Sequence, residues 1–263
     1  MNGERRPISV LVPTLNEEEV LDDCLASVDW ADEILVVDSG STDRTLEIAR
    51  AHGARILEHP YENSARQKNW AIPRCTHEWV LIVDADERVS PGLADEIREL
   101  LARGPEADGY WIRRSNVFLG RTMRHGGWQT DRVIRFFHRD RARYEDKTVH
   151  AEMVVDGPVP VLRHPLIHLA FRSFDQYWPK VDRYARWWAI GQFERGRRVG
   201  AGTVLAHTVA CFLKVYVARA GFLDGGHGLV FAFLATCHVY LKYARLWELT
   251  LRERKGNGSP GGG

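Results

Sequence analysis

A chain of 263 residues is long enough to bury one large α/β core with a small appendage, so one main domain is the first expectation. Its 36 Lys and Arg residues nearly balance its 35 Asp and Glu residues, which argues against a basic nucleic-acid-binding protein. The four cysteines are scattered without a CxxC pair, which excludes a zinc site of the usual spacing and favours buried thiols in a reducing compartment.

The first hundred residues predict strands and helices in alternation. Apolar runs predict strands over 8–13, 33–37, 55–58 and 79–83, and the segments between them predict helices from residue 17, over 44–52 and over 63–72. Asn16 and Asp43 are expected to cap the first two helices, and Ser90 a further one that runs through Leu101. This βαβαβ beginning is typical of a parallel, doubly wound sheet, so we expect an α/β fold.

The middle of the chain predicts later strands around a glycine-rich loop. Strands are expected over 109–113 and 132–138, with Gly126 and Gly127 between them, and a strand pair with a return segment over 148–168. Arginines crowd residues 113–143, which suits either a phosphorylated substrate or a solvated basic surface. The polar amino terminus leads directly into the first strand without the pattern of a secretory signal, so the catalytic face is expected in the cytoplasm.

Two apolar runs, 203–217 and 229–240, follow an amphipathic helical segment that starts after Phe174. Both runs are shorter than the roughly 20 residues that a spanning helix needs, and basic and aromatic residues flank them as in interfacial anchors. Contact with a membrane surface is therefore expected. A hairpin that dips into the bilayer, packing on the sheet and pairing with another subunit are the alternatives. The glycine- and serine-rich end is expected to be a disordered tail.

Two acidic signatures each close an apolar run: VDSGSTD at 37–43 and VDADE at 83–87. In open α/β sheets, ligands bind beyond the carboxyl ends of the strands, where these acids fall. Asp84 and Asp86 are spaced so that a turn can aim both at one cation, and oxygen ligands favour Mg²⁺ or Mn²⁺ completed by substrate phosphates. The sequence thus predicts a metal-bound nucleotide site, with Glu87 facing solvent.

The segments 8–17, 36–43 and 83–87 resemble, in order and spacing, the inverting GT-A glycosyltransferases of family 2. The resemblance covers roughly residues 7–170. Within that family, the stretches 125–128, 131–137 and 221–225 most resemble bacterial lipopolysaccharide core glycosyltransferases that add glucose or another hexose. The resemblance implies a GT-A (Rossmann-like), mostly parallel sheet flanked by helices over residues 1–170. It also implies a helical, membrane-associated region over 171–252, followed by the tail over 253–263.

The resemblance also implies a donor site. Pro13, Thr14 and Glu17 shape the pocket for the base and ribose, and Asp38 hydrogen-bonds the base. The donor site is further lined by a basic-plus-Asn element, Arg66, Lys68 and Asn69. Asp84 reaches the ribose or a metal-bound water, and Asp86 binds the divalent cation, Mg²⁺ or Mn²⁺, that bridges the diphosphate.

An inverting transfer needs a general base for the acceptor hydroxyl, and the resemblance implies Asp131, in an Asp-x-x-x-Arg segment. Asp146 is its competitor. His150 and His168 are candidates to approach the diphosphate or the metal, although a relative's His-Glu pair is interrupted here by Ala151. His125 and Trp128 lie on a loop suited to close over the sugar, with Trp128 a stacking surface for a pyranose.

The expected function is therefore transfer of a hexose from a nucleotide sugar, a UDP-sugar being expected, to a lipid-linked or lipopolysaccharide-core saccharide. The expected setting is the cytoplasmic face of the inner membrane, with homo-oligomers formed through the carboxyl-terminal helices as an open alternative and no nucleic-acid partner. A sugar nucleotidyltransferase would need a glycine-rich basic loop, whereas residues 14–18 are acidic. A non-catalytic scaffold would predict a damaged site, yet Asp38, Asp84, Asp86 and Asp131 are present. No GxGxxG follows the first strand, which disfavours a dehydrogenase.

Overall fold

The computed structural model describes residues 5–146, 151–171 and 173–257, so the predicted role of His150 falls outside the described residues. The described chain forms two compact units. The first contains the residues up to Ser115 together with Thr130–Leu169. The second contains Asn116–Gln129 together with the residues from Ala170 onward, so the glycine-rich loop groups with the carboxyl-terminal helices rather than with the strands beside it in sequence.

The amino-terminal half of the first unit alternates strands and helices as predicted. Its elements are β1 (Ile8–Thr14), α1 (Leu21–Ala26), β2 (Glu33–Asp38), α2 (Thr45–Ala51), β3 (Arg55–Glu58), α3 (Ser64–Ala71) and β4 (Trp79–Ile82). The strands lie in the order β3-β2-β1-β4 and all three pairings are parallel. This arrangement brings the carboxyl ends of β1, β2 and β4 to one edge of the sheet.

The sheet continues with antiparallel strands. The later elements are β5 (Glu87–Val89), α4 (Pro91–Arg103), β6 (Gly109–Phe118), β7 (Arg121–Thr122), β8 (Arg132–His138), β9 (Ala142–Tyr144), β10 (Met153–Val155) and β11 (Leu166–Phe171). The order after β4 is β8-β6-β11-β5, with β8 antiparallel to both of its neighbours. The main sheet is therefore mixed: parallel where the sequence predicted a doubly wound pattern, and antiparallel at the β4–β8, β8–β6 and β11–β5 pairings, while β9 and β10 form a separate antiparallel pair.

Alternate residues of β1 belong to two apolar clusters, as the two-residue period of a strand requires. Val10 and Val12 pack with residues of α1 and α4, whereas Leu11 packs with Ala71 at the end of α3. Both faces of the strand are thus covered, which explains its continuous apolar run. Cys24 and Cys75 are buried here as free thiols, and burial raises the pKa of each to about 12, so both are unreactive at neutral pH.

The predicted helix caps had different outcomes. Ser90 caps α4 by accepting from the backbone N–H of Leu93, as predicted. The N-cap residue of α2 is Arg44 rather than Asp43, although Asp43 accepts from the first amide of the helix, that of Thr45, at 3.0 Å. The assignment of Asn16 was wrong: α1 begins five residues later, and Asn16 adopts a left-handed φ of 53°. Asparagine tolerates that conformation, and its side-chain oxygen accepts from Thr42 N instead.

The second unit is helical from Phe174 onward, and it also contains β7 and the ends of β6 and β11. Its helices are α5 (Phe174–Glu194), α6 (Ala201–Phe212) with a π-helical continuation (Leu213–Ala218), a 3₁₀ turn (Gly221–Asp224) and α7 (Gly225–Asn257). The stretches Ala201–Ala218 and Gly221–Arg254 are each long and apolar enough to cross a membrane by length and composition. The first exceeds the apolar run read from the sequence by only three small residues, whereas the second is much longer because α7 continues through polar residues after Tyr240. α7 also extends five residues into the segment expected as a disordered tail.

Candidate active site

Asp38 ends β2 beside Thr14, its register partner on β1. One carboxylate oxygen accepts from Thr14 Oγ1 at 3.2 Å and from Ser41 Oγ at 2.5 Å, and the other accepts from the amides of Gly40 and Ser41, both at 2.8 Å. These four bonds match the acceptor capacity of a carboxylate. Asp38 is buried and shapes the loop after β2, and its bond to the base stays a prediction.

The other residues predicted at the base and ribose lie near the same strand end. Pro13 precedes Thr14 on β1, and Glu17 follows in the turn before α1, where its N–H donates to Thr45 Oγ1 at 2.8 Å. Sequence reasoning missed Gln67, which is buried on α3 and donates to Ser39 Oγ. The loop after β2 is therefore held from both β1 and α3.

The three residues predicted on α3 point in different directions. Lys68 is buried, with Nζ 2.8 Å from Asp84 Oδ1. Asn69 is committed to the backbone of Tyr144, donating to its carbonyl at 2.9 Å and accepting from its amide at 2.8 Å. Arg66 is exposed and contacts Glu62 and Asp146, so the structure places only Lys68 beside the acidic turn.

Asp84 follows β4 in a tight turn closed by Glu87. Glu87 N donates to Asp84 O at 2.8 Å, and Glu87 Oε2 accepts from Asp84 N at 3.0 Å. The carboxylate of Asp84 contacts Lys68 and makes a close ion pair with Arg135. Burial acts to raise the pKa of Asp84, but the charges of Arg135 and Lys68 outweigh it and hold that pKa well below its usual range.

Arg135 reaches Asp84 because of an irregularity in β8. Pairing with β6 steps from Tyr110 opposite Phe136 to Trp111 opposite Ile134, which leaves Arg135 as the extra residue of a bulge. A bulge redirects side chains locally, and here it aims a buried arginine at the acidic turn. Strict alternation would have placed Ile134 and Phe136 on one face, whereas they pack in opposite clusters.

The prediction for Glu87 was wrong, since its side chain is completely buried. Its Oε1 lies 3.5 Å from Arg114 Nη1 and 3.6 Å from Arg135 Nη2. The physical reason is that a buried carboxylate needs charged or hydrogen-bonding partners, and two guanidinium groups from neighbouring strands supply them. Local sequence showed only an acid at the end of an acidic loop.

Asp131 is held by Arg114. Arg114 Nε donates to one carboxylate oxygen at 3.0 Å and Nη2 donates to the other at 2.8 Å, while the Arg114 amide donates to the Asp131 carbonyl at 3.0 Å. Burial acts to lower the pKa of Arg114, but its hydrogen bonds and the charge of Asp131 raise it overall. Ion pairs therefore join six residues of alternating charge, called the ion-pair network below: Lys68, Asp84, Arg135, Glu87, Arg114 and Asp131.

Asp86 lies apart from this network, beside His168 of β11. His168 Nε2 is 3.7 Å from Asp86 Oδ2, and the amide of Leu169 donates to the Asp86 carbonyl at 2.8 Å. In the described parts of the chain, no cluster of three or more His, Cys, Asp or Glu side chains could hold a metal by itself. One carboxylate and one imidazole still fit a cation that takes its other ligands from phosphate oxygens. Asp84 fits less well as a ligand because two cationic side chains already contact it.

Residues 9–154 match the family model described as Glycosyl transferase family 2. The chain belongs to this family. The lipopolysaccharide core biosynthesis glycosyltransferase LpsC of Rhizobium meliloti (strain 1021) is 29% identical over 252 residues, which cover 90% of this chain and 93% of LpsC. An uncharacterized glycosyltransferase of Rickettsia typhi is 28% identical, over 95% of this chain and 89% of the relative.

Among solved structures, glucosyl-3-phosphoglycerate synthase from Mycobacterium tuberculosis with Mn²⁺ and UDP-glucose covers 65% of this chain and 73% of its own, at 18% identity and a TM-score of 0.45. The family model and the sequence relatives, rather than this solved structure, make the chain a family 2 glycosyltransferase, as the sequence motifs predicted. Asp38 ends β2, and Asp84 and Asp86 lie in the turn after β4; their roles at the donor stay predictions.

The second unit of this family 2 chain contains His125 and Trp128. Asp224 is buried and accepts from the amide of His125 at 2.8 Å, and its other oxygen lies 3.1 Å from His125 Nδ1. The ring of Trp128 packs against Phe231 with centroids 4.7 Å apart. The glycine-rich loop is thus tied to the start of α7, and sugar stacking on Trp128 stays a prediction.

Proposed function

We propose that this family 2 glycosyltransferase is cation-dependent and inverting, and that it moves a hexose from a nucleotide sugar, with a UDP-sugar as the expected donor, to a lipid-linked or lipopolysaccharide-core saccharide. The observation that carries the proposal is the ion-pair network, which links the acidic turn after β4 to Asp131 within one unit. One predicted donor-side acid, Asp84, is thereby linked to the predicted base Asp131.

On the donor side, Asp86 and His168 would hold the divalent cation, Mg²⁺ or Mn²⁺. When bound, the cation neutralises charge that develops on the departing nucleoside diphosphate. Lys68 and Arg135 keep Asp84 ionised, and Asp84 would then accept a hydrogen bond from the ribose or from water. Pro13, Thr14, Glu17 and Asp38 would shape the pocket for the base, at the strand ends where open α/β sheets bind nucleotides.

On the acceptor side, Asp131 would remove the proton of the attacking hydroxyl. Inversion requires that this base lie on the face of the sugar opposite the leaving diphosphate. The two bonds from Arg114 fix the plane of the Asp131 carboxylate, and such orientation is a large part of what a general base contributes. Asp146 is less suited, because its side chain is 81% exposed and its described partner is the exposed Arg66.

The acceptor class follows from relatedness and charge. LpsC is a lipopolysaccharide core biosynthesis glycosyltransferase, and it is aligned over nearly the whole of both chains. The arginine-rich middle of the chain would suit phosphate groups on such an acceptor. These two observations support a core saccharide as acceptor without naming its sugar.

We further propose that the second unit contacts the cytoplasmic face of the inner membrane. Leu205, Val209, Leu213 and Val217 recur at every fourth position and are 66%, 49%, 53% and 56% exposed. An apolar stripe of this length is rare on monomeric soluble proteins and marks an interaction surface. Lys214 and Arg219 near its end suit anionic headgroups, which favours a lipid surface as the partner.

The transfer proposal is tested by incubating the purified protein with a panel of nucleotide sugars and truncated lipopolysaccharide cores, with Mn²⁺, with Mg²⁺ and with chelator. We expect nucleoside diphosphate release that needs both cation and acceptor. Asp131→Asn should lower it about a hundredfold or more, leaving a measurable residual rate, whereas Asp140→Asn, which removes an exposed acid paired with its neighbour Arg139, should not. Release from none of the donors, or full activity with chelator, would contradict the proposal.

The membrane proposal is tested by sedimentation with phosphatidylglycerol–phosphatidylethanolamine vesicles. Replacing Leu213 and Val217 with Gln should reduce binding, whereas Val154→Gln, at an exposed apolar residue of the first unit, should leave it unchanged. Unaltered binding of the double variant would contradict the proposal. Conversion of an oligomer to a monomer by the same variant would instead identify the stripe as an interface between copies.

A further inference from the structure

We infer that Glu87 is a positioning residue of the transfer reaction: through Arg114 it orients Asp131, and through Arg135 it orients Asp84. The inference rests on the proposed function and extends it to a residue that touches neither donor nor acceptor in that scheme. Glu87 lies within 3.6 Å of a guanidinium nitrogen of each arginine, while Asp84 pairs with Arg135 and Asp131 pairs with Arg114. It therefore joins the two halves of the site.

The two carboxylate oxygens of Glu87 contact different partners. Oε2 accepts from the Asp84 amide and closes the turn, which is all that a structural acid at this position would need. Oε1 is buried between two guanidinium groups at 3.5 and 3.6 Å, too far for good hydrogen bonds but close enough for strong attraction in a buried setting. Its contribution is thus its charge, and that charge acts on both arginines.

Removal of this charge would unbalance the network. The three cations Lys68, Arg135 and Arg114 face the three carboxylates Asp84, Glu87 and Asp131, so the set is neutral as it stands. Without Glu87, the two guanidinium groups share no counter-charge and repel each other. We expect them to move apart, and Asp84 and Asp131 to move with them. The bulge that places Arg135 in this position shows that the backbone, too, is shaped for the arrangement.

The first experiment compares Glu87→Gln with wild type, because glutamine keeps the shape and the Asp84 hydrogen bond but not the charge. We expect kcat for the nucleotide sugar that the wild type turns over to fall about tenfold or more because Asp131 moves, and KM for that donor to rise because Asp84 moves as well. The matched control is Glu96→Gln, which alters a largely buried carboxylate that binds the amides of Arg163 and His164. Unchanged kcat in Glu87→Gln would overturn the inference.

The second experiment separates positioning from general loss of structure. If Glu87 acts through Arg114 on Asp131, then Glu87→Gln should cost much less in an Asp131→Asn background, because the group it orients is already disabled. An equal fold-loss in both backgrounds would show a structural role and overturn the inference. Failure of the proposed function looks different: the wild type would release no nucleoside diphosphate from any donor.

A readout independent of turnover is the NMR spectrum of arginine Nε–H groups in the full chain. The Arg114 signal, identified by its loss in Arg114→Lys, should shift in Asp131→Asn and also in Glu87→Gln, but not in Glu96→Gln. If the chemical shift of the Arg114 Nε–H were the same in Glu87→Gln and wild type, the inference would be overturned even if no donor were known.

Discussion

Arg114 and Asp131 form a bidentate pair, with donor–acceptor distances of 3.0 and 2.8 Å, that orients the predicted base from an adjacent strand. A lysine cannot reproduce two parallel bonds from one planar group. We therefore expect Arg114→Lys to lower kcat by about ten- to a hundredfold while donor KM changes little. Steady-state kinetics with Arg103→Lys, a change at an exposed arginine outside the arginine-rich middle, as control would check this. A normal kcat would show that the pair does not orient the base.

Low pH should lower the folding stability of the first unit because it protonates Asp84. Its pKa is depressed in the folded protein, so the ionised carboxylate contributes stability that is fully present above the unfolded pKa of about 4 and is lost as pH falls below it. Melting temperatures measured from pH 7 to pH 3 should fall for the wild type below about pH 4. The fall should be shallower in Asp84→Asn, which is less stable at pH 7 because Lys68 and Arg135 lose their shared partner. If the melting temperatures of the wild type and of Asp84→Asn fell equally steeply with pH, this account would be contradicted.

The predicted cation site can be tested without an acceptor. Asp86→Asn and His168→Gln should each weaken Mn²⁺-dependent UDP binding by about tenfold or more, since each removes one of two proposed protein ligands. Titration calorimetry with UDP at several Mn²⁺ concentrations measures the effect. His164→Gln, at a histidine paired with Glu96, is the control and should bind as the wild type does. Equal UDP affinity in all variants would show that Asp86 and His168 do not bind the cation.

Two glycines at the start of α7 should respond differently to alanine. A Cβ on Gly228 would lie 1.8 Å from the carbonyl oxygen of Gly221, whereas a Cβ on Gly226 meets nothing within 4 Å. Gly228→Ala should destabilise the second unit by about 3 kcal/mol or more, because backbone must move to admit it. Gly226→Ala should be neutral or stabilising by about 0.5–1 kcal/mol, since alanine favours a helix. Denaturant titration of both variants checks the contrast.

The sequence by itself determined the order of elements and the placement of the donor-side acids. Buried parallel strands must be continuously apolar, so β1, β2 and β4 could be located to within about a residue at each end. Parallel strands carry their carboxyl ends to one edge, so Asp38 and Asp84 had to lie on the same side of the sheet. Caps such as Ser90 were equally predictable, because the hydrogen bond is local.

The tertiary structure alone decided how those acids are held. Arg135 and Asp84 are separated by 51 positions, and their contact depends on a bulge that no local pattern announces. Glu87 looked like a solvent-exposed acid, yet it is buried because arginines from β6 and β8 surround it. Motifs locate charged groups along the chain, but which charges can be buried together depends on the strands that fold against them.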